Sequence, residues 1–169
     1  MQGRPYLCHS KFIMMIQRIQ SLYLMLAGIA ASLMFAFPLA KFYGSSNFAL
    51  YVYQINFFDP NPSLQLSSMF LLPLMGIVIL IIALSIITLL SFKNRKRQLM
   101  LTKINMASTL ILLAGYFLGY MGILEKSVGN APEYQFASFM PVLVFVFLFL
   151  ANRGITKDEK LIRSMDRLR

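Results

Sequence analysis

The chain has 169 residues, of which 58% are hydrophobic and 13% are charged, and its mean hydropathy is +0.67. Soluble domains carry roughly 45–50% apolar and about 25% charged residues, so this composition excludes a water-soluble globule and indicates a small integral membrane protein. One Cys and one His exclude a disulfide framework and any metal site built from several of these residues.

The chain begins with a basic leader, residues 1–14, which we expect to be dispensable because Met15 offers a second start of translation. The uncharged run 21–40 follows, and about 20 apolar residues are what a helix needs to cross a hydrocarbon core. This run is longer than the apolar part of a secretory signal, about 7–15 residues, and no small-residue cleavage motif follows it. The sequence therefore predicts an uncleaved first transmembrane helix over 21–40.

The next connection, 41–67, is rich in aromatic residues. Within it, 48–58 has strand-forming composition, and Asp59-Pro60-Asn61-Pro62 is a turn sequence. One interpretation is a binding surface outside the membrane. The other, which we prefer, is an interfacial aromatic belt folded back onto the helices, because aromatic residues at the bilayer surface need no ligand.

Two further uncharged runs predict the second and third helices, over 68–92 and 104–124. A small-residue face on the third helix favours close helix packing, either internally against the first helix or, alternatively, in a homodimer. This face consists of Gly115, Gly119 and Gly122. Polar residues of these helices, among them Ser85, Asn105 and Thr109, are expected to hydrogen-bond between helices.

The fourth helix is predicted over 132–152, with Asn130 as its N-cap and Pro132 in its first turn. The short connection before it only joins helices three and four. Pro73 in the second helix and Pro141 in the fourth each remove an intrahelical hydrogen bond, so both are expected to bend their helices.

The remaining segment, 153–169, predicts a basic cytoplasmic helix. Thr156 and Glu159 have capping-box spacing, which favours a helix start at Thr156. Apolar and basic residues then follow at helical spacing, as expected for a helix that docks on an anionic membrane surface or in a partner groove. These contact residues are Lys157, Lys160, Leu161, Arg163, Met165, Arg167 and Leu168. Alternatively, the charges only fix the topology.

Basic residues set the predicted orientation. Fourteen of the sixteen lie before the first run, in the connection between helices two and three, or after residue 152. Because positive residues stay on the cytoplasmic side, both termini and the middle connection are expected there. This clustering at helix ends also explains the net charge of +10 without a nucleic-acid partner, and none is expected.

The sequence contains no recognisable catalytic, cofactor-binding or metal-binding constellation. The three uncharged runs and the apolar part of the fourth helix, 136–151, carry no charged residue, which argues against a proton-coupled transporter. Cys8 and His9 are adjacent in the leader, a poor geometry for a nucleophile and its base. Asp59, Glu125 and Glu133 are the carboxylates of the outer connections, and their spacing pairs none of them for acid–base chemistry.

Three stretches carry a family resemblance: MIQRIQSLYL at 15–24, NRKRQ at 94–98 and KDEKLIRSMDRLR at 157–169. Over residues 15–169 the chain resembles domain-of-unknown-function family 4293, four-helix bacterial inner-membrane proteins. The resemblance implies a fold and a compartment, but no activity, substrate or cofactor, so it transfers no site residue.

Together these observations predict an all-α membrane protein: a four-helix transmembrane bundle over 15–152, an aromatic outer loop containing β-structure, and a short amphipathic C-terminal helix. The leading functional hypothesis is a non-enzymatic accessory or assembly partner in the inner membrane. The alternatives are a small carrier or channel for an apolar or lipid-like solute, and a membrane enzyme with an outer-face carboxylate site. The lipid bilayer, another membrane protein or a second copy are the expected partners.

The predicted topology is testable with reporter fusions. Fusions at Ser63 and Gly129 are expected to be active outside the cytoplasm, and fusions at Gln98 and Arg169 inside it, because of the distribution of basic residues. Activity of the Arg169 fusion outside would contradict the topology.

Overall fold

Four helices are long and apolar enough to cross a membrane in the computed structural model, which describes residues 6–44, 46–58, 68–92 and 94–166. The first is α1, Tyr6–Ala36, and the second is α2, Leu72–Leu90, which follows a 3-10 turn at Ser68–Leu71. The third helical rod is formed by α3, Arg95–Ala114, a π-helical segment, Gly115–Met121, and α4, Gly122–Val128. The fourth is α5, Met140–Asp166, which follows a 3-10 turn at Phe136–Phe139.

The helices form a ring in which α1 and α3 each pack against both α2 and α5. Their buried residues recur at alternating spacings of four and three, the repeat of left-handed helix bundles. On α2 they are Leu74, Val78, Ile81, Ser85 and Thr88, and on α5 they include Val144, Leu148, Ala151, Ile155 and Asp158. The same repeat therefore determines which residues of each helix line the interior of the bundle.

The helix boundaries differ from the uncharged runs. The third helix begins at Arg95 rather than at residue 104, and the Asn94 side chain caps it by accepting from the backbone N–H of Arg97 at 3.3 Å. The first helix already begins at Tyr6. The first and third runs began too late because a helix continues into charged sequence, whereas hydropathy marks only its apolar part. Arg and Lys also have good helix propensity.

The expected proline bends are wrong. Pro73 occupies the first turn of α2, and Pro141 is the second residue of α5. Proline is tolerated in a first turn because its missing N–H would have no intrahelical partner there. Asn130 is not the N-cap of the fourth helix either. Its side chain donates instead to the backbone carbonyl of Tyr43 at 2.8 Å, and Pro132 lies before a strand.

The tail does not start a separate helix. Helix α5 runs without interruption from the apolar segment through to Asp166. The Thr156 hydroxyl donates to the Asn152 carbonyl at 2.8 Å, a bond made inside a helix, so the capping-box prediction is wrong. The side chains of Leu161, Arg163 and Met165, and the residues Arg167 and Leu168, lie outside the described part of the chain.

A four-stranded antiparallel sheet lies at one end of the bundle, which we call the sheet end. Its order is β3-β2-β1-β4. The strands are β1, Ala40–Phe42, β2, Phe48–Leu50, β3, Ile55–Phe57, and β4, Glu133–Tyr134. The expected β-structure in the aromatic loop is thus confirmed, whereas the turn at Asp59–Pro62 lies outside the described residues. The later connection supplies β4, so it is more than a link between helices.

The glycine face does not pack inside the bundle. A Cβ atom added to Gly115, Gly119 or Gly122 would meet no atom of the described chain within 4 Å. The expected internal contact with the first helix is therefore wrong, because these glycines lie on the side of the rod that faces away from its neighbours. A second copy stays open as the alternative.

Gly154, by contrast, does permit a close approach between helices, and it provides a test. We expect Gly115→Leu and Gly119→Leu to leave the melting temperature of the monomeric bundle in detergent unchanged. Gly154→Leu is expected to lower it, because a Cβ at Gly154 would lie 2.9 Å from Cγ of Gln20. Equal losses in all three variants would contradict the outward placement of the glycine face.

Candidate functional site

A polar column occupies one half of the bundle core. Its members are at most 6% exposed, although they lie at the core positions of apolar helices. We define the polar column as Gln20, Ser85, Thr88, Gln98, Thr102, Asn105, Thr109 and Asp158. On α3 it extends from Gln98 to Thr109, about 16 Å at 1.5 Å per residue, or roughly half of a hydrocarbon core.

One end of the column, opposite the sheet end, contains a buried carboxylate, and we call it the Asp158 end. Gln20 Nε2 donates to Asp158 Oδ2 at 2.6 Å, and Nη1 of Arg95 lies 3.9 Å from the same oxygen. Gly154 lets the Gln20 side chain approach α5 closely. The carboxylate thereby links α1, α3 and α5, and a buried carboxylate requires such partners.

The middle of the column joins α2 and α3. Asn105 Nδ2 donates to Ser85 Oγ at 2.9 Å and lies 3.4 Å from the carbonyl oxygen of Ile81. This contact confirms the expected hydrogen bonding between helices for Ser85 and Asn105, whereas the Thr109 hydroxyl donates to the Asn105 carbonyl of its own helix at 2.8 Å. Asn105 Oδ1 is buried and has no hydrogen-bond partner within the described residues.

Sequence reasoning missed Asp158, because it assigned this residue to a solvated tail. The signal was present: residues 144, 148, 151, 155 and 158 continue one core stripe with spacings of four, three, four and three. Extending the repeat of the fourth helix past its last apolar residue would have placed Asp158 in the core.

A chain of hydroxyl bonds fastens the sheet end. The Ser138 hydroxyl donates to the backbone carbonyl of Leu39, just before β1. The Tyr116 hydroxyl lies 2.7 Å from Ser138 Oγ, and Tyr116 must be the donor because the single proton of Ser138 is already used. Tyr120 in turn donates to the carbonyl of Phe70 at 2.8 Å. The π-helical segment therefore ties together the ends of three helices.

The aromatic residues of the sheet end differ in burial. Phe42 and Phe48 are fully buried, and their ring centroids lie 5.0 Å apart, as part of the hydrophobic core. Four others project from the described surface with roughly half of their area exposed. They are Tyr43, Tyr53, Phe58 and Tyr134. The loop thus folds back onto the bundle and still presents an aromatic surface, so each interpretation describes part of it.

The remaining candidate groups do not assemble. Glu125 on α4 and Glu133 on β4 are exposed, and Asp59 lies outside the described residues. Within the described ranges, no three His, Cys, Asp or Glu residues could hold a metal ion. An apolar groove of about 390 Å³ lies between α1 and α2, with Gly28, Ser32 and Ser85 among its lining residues.

This arrangement defines a multi-pass helical membrane protein with a small antiparallel sheet at one end of its bundle. The chain belongs to the family described as Domain of unknown function (DUF4293), whose model matches residues 16–168, as the resemblance indicated. No curated protein and no solved structure matches the chain.

The contact between Gln20 and Asp158 makes a prediction about stability. Asp158→Leu is expected to destabilise the bundle by about 1–3 kcal/mol, because it leaves the Gln20 amide without its acceptor and Arg95 without its nearby negative charge. Lys157→Leu, at the exposed neighbouring position, is the matched control and should have little effect. Denaturant titration in detergent measures both.

A double-mutant cycle isolates the pair. If Gln20 and Asp158 interact directly, adding Gln20→Leu to Asp158→Leu costs less than Gln20→Leu alone. Strictly additive losses would contradict a direct interaction.

Proposed function

We propose that this protein is a non-enzymatic accessory or assembly partner of another membrane protein in the bacterial inner membrane, with both termini cytoplasmic. The distribution of basic residues supports this orientation, because fourteen of sixteen lie on the connections and ends assigned to the cytoplasm. The sheet end then faces away from the cytoplasm, and the Asp158 end faces it.

The observation that carries the proposal is the construction of the sheet end. Two connections far apart in sequence join in one sheet, where Lys41 of β1 stands opposite Glu133 of β4. The hydroxyls of Tyr116 and Ser138 then fasten that sheet to the helices. Connections that only join two helices need no such framework. A fixed surface of Tyr and Phe side chains is well suited to binding a protein, since aromatic anchors are enriched at binding hot spots and lose little entropy.

The two rival functions have weaker support. A carrier needs a solute path, whereas the groove between α1 and α2 is mostly apolar and includes residues on the lipid-facing side of the helices, such as Met25 and Ile29. An enzyme using the outer carboxylates needs them to converge, whereas Glu125 and Glu133 stand exposed on separate elements. The groove therefore does not favour a carrier, and the carboxylates do not favour an enzyme, over a protein that binds a partner.

Two further surfaces are candidates for contact with the bilayer or a partner. Exposed basic residues surround the Asp158 end, including Lys96, Arg97, Lys157 and Lys160, and anionic headgroups attract such clusters. The glycine face of Gly115, Gly119 and Gly122 suits a second copy of the chain. Both remain secondary to the sheet end, because no fixed framework comparable to the sheet supports them.

Site-specific photocrosslinking in native membranes tests the proposal. A photoreactive phenylalanine analogue at Tyr53 is expected to give one discrete protein adduct, identified by mass spectrometry, because this side chain projects from the fixed sheet end. The same analogue at Phe149, equally exposed but in the middle of α5, is the control and should give no discrete protein adduct.

A surface variant then separates specific contact from proximity. Tyr53→Asp is expected to release the native complex while leaving the melting temperature of the purified protein unchanged, since Tyr53 is exposed. An absence of discrete adducts from Tyr43, Tyr53, Phe58 and Tyr134 alike would contradict the proposal. Adducts with a second copy alone would make the protein a homodimer instead.

A further inference from the structure

The buried side-chain oxygens of Asn105 and Asn152 have no hydrogen-bond partner in the described part of the chain, and Asn105 is the more deeply buried residue of the two. Asn105 is 0% exposed and lies at a core position of α3. Its amide nitrogen points towards Ser85 Oγ and the Ile81 carbonyl, whereas Oδ1 has no hydrogen-bond partner in the described part of the chain. A buried acceptor without a donor is costly, and native proteins usually satisfy it with an ordered water.

The hydroxyls around Asn105 cannot supply that donor. Each gives its single proton to a backbone carbonyl four residues earlier: Ser85 to Ile81, Thr102 to Gln98, and Thr109 to Asn105, all at 2.8 Å. Thr88 does the same with Leu84 at 2.6 Å. These oxygens retain only lone pairs, so this part of the polar column offers acceptors. The ligand that fits must be small and must donate hydrogen bonds.

The uncharged oxygens around Asn105 favour water over a metal ion. Hard cations bind where carboxylates gather, and the carboxylate of the column, Asp158, is engaged by Gln20 and Arg95 at the far end. Water donates two hydrogen bonds and typically makes about three in a buried site.

The order of the core residues along α3 indicates the side from which water arrives. From Asn105 towards the Asp158 end, the core residues of α3 are the polar Thr102 and Gln98. In the other direction, beyond Thr109, they are Leu112 and Tyr116, which are packed in the hydrophobic core. The polar side chains offer groups to which water can hydrogen-bond, whereas the apolar residues on the opposite side offer none except the Tyr116 hydroxyl, which is bonded to Ser138.

We propose that Asn105 Oδ1 is the binding site of an internal water, supplied from the Asp158 end along the polar column through Gln98 and Thr102. The bundle is then hydrated over half of its depth and dry over the half nearer the sheet. This inference is independent of the proposed partner function, because it depends only on the interior of a single chain.

Hydrogen exchange of the Asn105 side-chain amide tests the proposal. The full chain, labelled with ¹⁵N-asparagine, is placed in lipid nanodiscs and transferred to D₂O. Loss of one signal pair in Asn105→Leu assigns the resonance. In the wild type, exchange is expected within minutes, since water reaches the site, whereas a dry site would hold its protons for hours or longer.

Two matched threonine variants test the route. Thr102→Val lies between Asn105 and the Asp158 end and should slow exchange by about tenfold, because it removes one water-binding oxygen. Thr109→Val removes an acceptor on the other side of Asn105, away from the route, and should slow exchange less than Thr102→Val does. Circular dichroism and melting temperature verify that both variants fold, and the wild-type rate decides the existence of the site by itself.

Each other outcome overturns part or all of the inference. Protection of the wild-type amide for hours means that Asn105 is dry. Slowing by Thr109→Val without slowing by Thr102→Val places the entrance at the sheet end, and equal slowing, or no slowing in either variant, removes the assigned direction. A melting temperature that rises in sodium chloride but not in choline chloride, together with slower exchange, means that a cation occupies the oxygen instead of water.

Discussion

The structure depends on one constraint: polar side chains inside a membrane bundle need partners from other helices or from water. Each helix carries a core stripe with spacings of four and three, and α3 fills most of its stripe with polar residues. Such groups are costly in hydrocarbon, so the ring must turn them inward. The bond from Gln20 to Asp158 and the bond from Asn105 to Ser85 then fix which helices are neighbours.

The two halves of the bundle are consequently held together by different interactions. Near the Asp158 end, hydrogen bonds and one buried carboxylate specify the helix arrangement, while packing adds stability. Near the sheet end, the core is apolar and aromatic, with Phe42, Phe48 and Tyr116 fully buried. That half also supports the sheet, whose framework gives the proposed contact surface a fixed shape. The residues that specify the helix arrangement and the residues that form the proposed contact surface thus lie at opposite ends of the bundle.

Hydropathy alone predicted the number of spanning helices, and strand-forming composition predicted the sheet in the aromatic loop. Helix limits were less predictable, because helices such as α3 start among basic residues that hydropathy scores against. The prolines misled because their effect depends on the position of the helix start: Pro73 and Pro141 lie in first turns. Gly115 and Gly119 led to a wrong prediction of internal packing, because a motif that permits close approach does not show whether its face of the helix meets a neighbouring helix. The burial of Asp158 could have been predicted, since the core repeat of α5 continues through this residue.

The central claim is that α5 continues as one helix past its apolar part and places Asp158 against α1. Disulfide formation between introduced cysteines measures this most directly, in a background where Cys8 is replaced by Ser. The account predicts rapid oxidation of the pair Gln20→Cys and Gly154→Cys, one turn before Asp158, because a Cβ at residue 154 would lie 2.9 Å from Cγ of Gln20, where the sulfur of a Cys would sit. It predicts no oxidation of Gln20→Cys with Lys157→Cys, because Lys157 is exposed. Oxidation of the second pair in preference to the first would contradict the account.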